Sequence, residues 1–146
     1  MKTRNLKKGF TIVELLVVIV VIGILAAITI VSYNGITNRA NNTKGIAAAK
    51  AVQDFVNAYY AEKGSYPTSE TDANEFTLVR LPSNLKTVTT ELNKDSTTSS
   101  PVEVKYGYCT DEYVVQYFDV VENETKTLTE GTCTNPDFVL ITDSDQ

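Results

Sequence analysis

The sequence contains no histidine, the side chain most often used in proteins as a general base and as a metal ligand. A nucleophile activated by histidine is therefore excluded. The sequence also lacks a glycine-rich phosphate loop, and its two cysteines are too few to form a zinc site. We expect no catalytic residue, no metal site and no cofactor.

Basic residues are scarce beyond the start of the chain. There are 13 Lys and Arg residues against 18 Asp and Glu residues, and four of the basic ones lie in the first nine positions, which contain no acid. Without those nine residues the net charge would be 9 minus 18, or −9. This balance disfavours bulk nucleic-acid binding, because phosphate binding needs basic patches. It still allows one local basic site in an assembly.

Charge is also absent from residues 15–31, and Glu14 is the one charged residue between positions 10 and 31. These 22 residues would extend roughly 33 Å as a helix, which is enough to cross a bilayer core. A uniformly apolar helix must be buried in lipid or in other protein. Residues 1–9 form a basic leader, and their positive charge keeps this end of the chain in the cytoplasm. The remainder of the chain is therefore expected outside.

The start of this apolar run reads Gly9-Phe10-Thr11-Ile12-Val13-Glu14-Leu15-Leu16. It resembles the processing motif of type IV pilins and of the pseudopilins of type II secretion. The resemblance implies that a prepilin peptidase, an aspartyl enzyme of the membrane, cleaves after Gly9 and that the new terminal Phe10 is N-methylated. It also implies that the apolar helix stays attached and later forms the core of a helical filament.

Glu14 has two interpretations. Thr11 and Glu14 form the pattern of a capping box, in which each side chain satisfies the backbone amide of the other residue. However, a carboxylate inside lipid costs about 2.5–3.5 kcal/mol on insertion scales, so it calls for a partner. The resemblance implies that this partner is the α-amino group of Phe10 in a neighbouring subunit. Capping in the membrane and pairing in the filament can coexist, and we favour a pairing role.

A long helix is predicted over residues 10–63. Residues 10–33 are its transmembrane and assembly part, and residues 34–63 are the remainder. The remainder contains an amphipathic segment whose apolar residues follow the helical period and should pack on a sheet: Ile46, Ala49, Val52, Val56 and Tyr59. Lys63 and Gly64 predict the end of the helix, and Pro67 follows. Residues 60–67 also resemble the helix-ending segment of many pilins and pseudopilins.

Residues 34–45 contain two glycines and four asparagines, which are poor helix formers. We hypothesise that this segment is helical in the free subunit and partly unwound in a filament. Many pilins carry a proline just before it, where this chain has Val31, so a proline kink is not expected. Two Asn-x-Thr sequons, at Asn41 and Asn123, match the pattern for N-glycosylation, although the motif is short and weakly specific.

Residues 64–146 are predicted to form a globular head, which makes the whole an α+β fold with a small antiparallel sheet. The clearest strands are residues 102–109 and 113–121, with a turn at 122–125, a partner strand at 126–129 and a last apolar element at 138–141. Residues 93–101 are predicted as loop. Acidic residues of the head follow no Ca²⁺-loop motif, so we interpret them as solvated: Asp111, Glu112, Asp137, Asp143 and Asp145.

Cys109 and Cys133 would form a disulfide if the head lies outside the cytoplasm. The bond would close a loop of about 25 residues and stabilise the fold by roughly 3 kcal/mol in the chain-entropy model. Two free buried thiols are the alternative for a cytosolic protein.

The resemblance as a whole implies a structural subunit of a type IV pilus-like filament, and not an enzyme. The protein would be a single-pass cytoplasmic membrane protein before assembly, and then part of an extracellular pilus or of a periplasmic or cell-wall pseudopilus. Implied partners are the prepilin peptidase, an assembly ATPase with its platform protein, inner-membrane lipid, further copies of the chain and other pilins.

Two alternatives remain open. The chain could be a minor pilin or a pseudopilin of a secretion, adhesion or DNA-uptake system. Alternatively, the apolar run could be an ordinary secretory signal cleaved near Ala26 and Ala27. Glu14 inside the apolar region and the nine-residue leader ending at Gly9 argue against the secretory signal.

Overall fold

The computed structural model describes residues 9–130 and 132–141. Its contacts divide the chain into two compact units, one up to Thr37 and one from Asn38 onwards. Helix α1, Ile12–Lys63, contributes to both units. It begins two residues later than predicted. It ends as predicted at Lys63, and Gly64 follows with a φ of 73° that suits glycine.

Two short helices lie in segments that the sequence indicates as polar or loop. Helix α2, Glu70–Asn74, is capped by the Ser69 side chain, which accepts from the Asp72 amide. Helix α3, Lys94–Thr98, lies where we predicted a loop over residues 93–101. That prediction was wrong because Asn93 and Ser96 form a capping box and because Ser96 and Thr97 are buried.

In the described part of the second unit, the sheet has five strands: β1 Leu85–Thr87, β2 Val102–Tyr108, β3 Tyr113–Asp119, β4 Glu124–Glu130 and β5 Asp137–Val139. Strands β2, β3 and β4 form an antiparallel meander, and β5 pairs antiparallel with β2. Strand β1 pairs with β2 in parallel, so the sheet is mixed and not wholly antiparallel. The connection that contains α3 supplies the crossover that a parallel pair needs.

The core of the second unit forms where α1 packs on the sheet. The predicted face of α1 is confirmed, because Ala49, Val52 and Val56 are fully buried and Tyr59 nearly so. These side chains join one apolar cluster with the inward-facing residues of β2 and β3, which include Val104, Tyr106, Tyr113 and Val115.

The predicted disulfide between Cys109 and Cys133 is formed. It joins the residue that follows β2 to the segment between β4 and β5. The C-terminal segment is held further by Ile141, which is buried and exchanges two hydrogen bonds with the Thr87 hydroxyl.

Candidate functional site

The N-terminal part of α1 presents an apolar surface. Its large side chains are exposed all round the helix: Ile12 is 84% exposed, Ile22 59% and Ile30 65%. In the described part of the chain, α1 is the one helix long and apolar enough to cross a membrane. Apolar surface on this scale requires lipid or other protein around it.

Glu14 is held at the start of this surface by Thr11. The Thr11 amide and the Thr11 hydroxyl each donate to Glu14 Oε2, both at 2.8 Å, and the Glu14 amide donates to Thr11 Oγ1 at 3.2 Å. The predicted capping box is therefore formed. Both residues are exposed, so the carboxylate is ordered by local contacts and still accessible from outside the helix.

Gly9 and Phe10 precede the helix and are both exposed. A peptidase acting between them would meet a segment outside the helix, because α1 begins only at Ile12. Cleavage there would place a new α-amino group four residues before Glu14. The remainder of the predicted leader lies outside the described residues.

A sequence model of the prokaryotic N-terminal methylation motif matches residues 4–30. The type IV major pilin protein PilE1 of Neisseria gonorrhoeae is 37% identical over 83 residues, which cover 57% of this chain and 48% of that protein. A fimbrial protein of Neisseria meningitidis is 40% identical over 70 residues, covering 48% of this chain and 41% of that protein. The N-terminal part of the chain therefore carries the methylation motif and is similar to type IV pilins.

A broader match within the pilins is the type IV major fimbrial protein FimA of Dichelobacter nodosus. It is 28% identical over 112 residues, which cover 71% of this chain and 70% of FimA. The chain spans about half the length of the Neisseria relatives it matches. No solved structure matches the chain significantly.

A polar contact in the second unit was not predicted from the sequence. The Asn42 amide donates to Asp119 Oδ2 at 3.0 Å and ties α1 to the end of β3. Asp119 Oδ1 accepts from the amides of Val121 and Glu122, at 2.8 and 3.0 Å. Since Asn42 and Asp119 are 77 positions apart, no local pattern in the sequence could have paired them.

Burial by itself raises the pKa of the Asp119 carboxyl. The hydrogen bonds from the Glu122 amide, the Asn42 side chain and the Val121 amide favour the ionised form, and together they hold this pKa below its usual range. Asp119 is therefore a charged anchor beneath the tip of the β3–β4 hairpin.

The same part of α1 approaches the sheet closely at Gly45. A Cβ atom there would lie 3.2 Å from Thr97 Cγ2 and 3.3 Å from Tyr117 Cδ2. Gly45 thus belongs to the packing between α1, α3 and β3, although the sequence indicated it only as a weak point of the helix.

Among the described residues, no group of three or more acids or cysteines is arranged to hold a metal ion. Asp143 and Asp145, which we interpreted as solvated, lie outside the described residues.

Proposed function

We propose that this chain is a structural subunit of a type IV pilus-like filament and acts through assembly, not catalysis. The exposed apolar surface of α1 supports the proposal, because an assembly of such helices would bury it. The methylation motif over residues 4–30 adds support from sequence. The curated relatives are named as pilin or fimbrial proteins.

The proposed pathway begins in the cytoplasmic membrane. Residues 1–9 form the leader, residues 10–33 span the lipid, residues 34–63 complete the helix, and residues 64–146 form a head outside the cytoplasm. The prepilin peptidase cleaves after Gly9, and Phe10 is N-methylated. An assembly ATPase and its platform protein then supply the work of moving the helix from lipid into the filament.

Within the filament, we propose that Glu14 pairs with the α-amino group of Phe10 in a neighbouring copy. A carboxylate buried among apolar helices is costly unless a positive charge compensates it. The observation that carries this proposal is the exposed Glu14 carboxylate at the start of an apolar helix surface. A processed Phe10 provides a positive charge at the same end of the helix.

Two substitutions separate capping from pairing. Glu14→Gln retains a side chain suited to a capping box but removes the charge. Thr11→Ala removes the cap but keeps the charge. We expect Glu14→Gln to abolish filaments while processing continues, and Thr11→Ala to yield filaments in at least half the normal amount. Sheared surface protein, quantified beside the N-terminal sequence of the membrane fraction, measures both properties.

The reverse pattern would contradict the pairing proposal. If Thr11→Ala abolished filaments and Glu14→Gln left them normal, Glu14 would serve as a helix cap only. Membrane-fraction N-termini serve as the control, because a variant that is not cleaved after Gly9 cannot report on assembly.

A role as a minor pilin or a pseudopilin is the alternative within the same family. PilE1 is named as a major pilin and FimA as a major fimbrial protein, which favours the major-subunit role. The abundance of the chain in sheared filaments distinguishes the two roles. A major subunit dominates the preparation, whereas a minor subunit is a small fraction of it.

A further inference from the structure

The two Asn-x-Thr sequons lie in different structural settings. Asn41, Asn42 and Thr43 all belong to α1. The Thr43 hydroxyl donates to the Arg39 carbonyl at 2.9 Å, and the Asn42 amide is bonded to Asp119. The first sequon is thus fixed in a hydrogen-bonded helix, where its hydroxyl is already engaged.

In the second sequon, Asn123-Glu124-Thr125, Asn123 lies in the turn of the β3–β4 hairpin, and Glu124 and Thr125 are the first residues of β4. Asn123 has a φ of 57°, in the left-handed region that asparagine tolerates. Asn123 and Thr125 are exposed, and within residues 9–130 and 132–141 neither side chain makes a hydrogen bond. The acceptor amide and the hydroxyl are therefore both open to an enzyme.

Strand pairing and hydrogen bonds also hold the tip of this hairpin in place. Seven residue pairs join β3 to β4, the last being Asp119 with Glu124. The Asp119 carboxylate holds the amides of Val121 and Glu122 inside the turn. The sequon is consequently presented at an exposed, hydrogen-bonded end of the hairpin, with Asn123 in the turn and Thr125 in β4.

We propose that Asn123 is an N-glycosylation site and that Asn41 is not. The proposal rests on the proposed function in one respect, since the head must lie outside the cytoplasm. Surface sequons of exported proteins are the usual acceptors of such glycans, which are bulky and solubilising.

The modification is a glycosyl transfer. Asn123 Nδ2 bonds to the anomeric carbon of an oligosaccharide carried on a polyprenyl pyrophosphate. The bond from that carbon to the pyrophosphate oxygen breaks, and the lipid pyrophosphate leaves. The proton lost from the amide passes to a base of the transferase, so no oxidant or reductant is needed.

The test is the intact mass of the full-length mature protein, purified from its own host. We expect a mass above that of the methylated, disulfide-bonded polypeptide, by whole sugar residues. The excess should disappear in Asn123→Gln and Thr125→Ala, and should persist in Asn41→Gln and Thr125→Ser. Asn123→Gly is a further variant that keeps the turn, because glycine accepts a positive φ.

A polypeptide mass with no excess would overturn the proposal. So would an excess that survives in Asn123→Gly, or one that is lost in Asn41→Gln. The same spectra report the N-terminus, which keeps the two proposals distinguishable. A methylated Phe10 without sugar leaves the filament proposal intact, whereas a glycosylated chain without cleavage after Gly9 contradicts only the processing.

Discussion

At the scale of single residues, Asp119 shows how a polar anchor forms between distant parts of the chain. Its neighbours in sequence are apolar, and the alternation around it indicates only a strand. The partners that define its role are Asn42 and two backbone amides of the turn. Sequence periodicity identifies residues that share a face, but it carries no information about a partner 77 positions away.

Asp119 predicts an acid-dependent loss of stability. Because its folded-state pKa lies below that of the unfolded chain, its contribution is fully present at neutral pH and is lost as the pH falls through the folded-state value. In Asp119→Asn, the side-chain amide of the new residue would face that of Asn42. We expect this variant to lower the free energy of unfolding by about 1–3 kcal/mol at neutral pH. The loss of stability as the pH falls into and below the usual range of a carboxyl group should also become less steep.

Thermal or denaturant unfolding of the detergent-solubilised protein, followed across that pH range, measures both effects. Asp54→Asn is the matched control, since Asp54 is exposed on the same helix that carries Asn42. An Asp119→Asn variant with the pH profile of the parent protein would show that the carboxylate contributes no charge-dependent stability.

At the scale of elements, the short helices show where local patterns were insufficient. Residues 93–101 are rich in Ser, Thr and Asp, which favour turns as well as helix caps. Contacts with residues outside the segment determine that it forms a helix. The Ser96 hydroxyl donates to Glu103 Oε2 at 2.9 Å, and Glu103 is paired with Lys86, so α3 is bonded to the sheet.

The capping box of α3 gives a direct prediction. Asn93 accepts from the amides of Asp95 and Ser96 at 2.8 and 3.3 Å. Removing this cap with Asn93→Ala should destabilise the protein by about 1 kcal/mol. Lys94→Ala is the control on the same helix, because Lys94 is exposed and lies beside the cap. Denaturant unfolding of both variants measures the difference, and equal stabilities would mean that the cap contributes nothing.

The Asn-rich and Gly-rich part of α1 is helical in this structure, in agreement with the expectation for the free subunit. Its partial unwinding in a filament remains a prediction, and its physical basis is the low helix propensity of residues 34–45. A filament map provides the measurement. We expect a break in the helical hydrogen bonds within these residues, and an unbroken helix up to Lys63 would contradict the hypothesis.

At the scale of the whole molecule, the long helix, the β2–β3–β4 meander and the disulfide could all be predicted from the sequence. Each rests on a strong local signal: the apolar run, the alternating strands, or a single pair of cysteines. The parallel pairing of β1 could not be predicted, because three residues of mixed pattern do not specify direction. The candidate assembly residues were predicted by resemblance, and the contact between Thr11 and Glu14 was predicted from the capping-box pattern and is formed in the structure.

The most direct test of the central claim is the N-terminus of the mature protein in the sheared surface fraction, determined by mass spectrometry. We expect a chain that begins at an N-methylated Phe10 and retains the entire apolar helix. A chain that begins beyond Ala26 would identify a secreted protein without its anchor, and would contradict the filament proposal. A chain that still begins at Met1 would contradict processing by the prepilin peptidase.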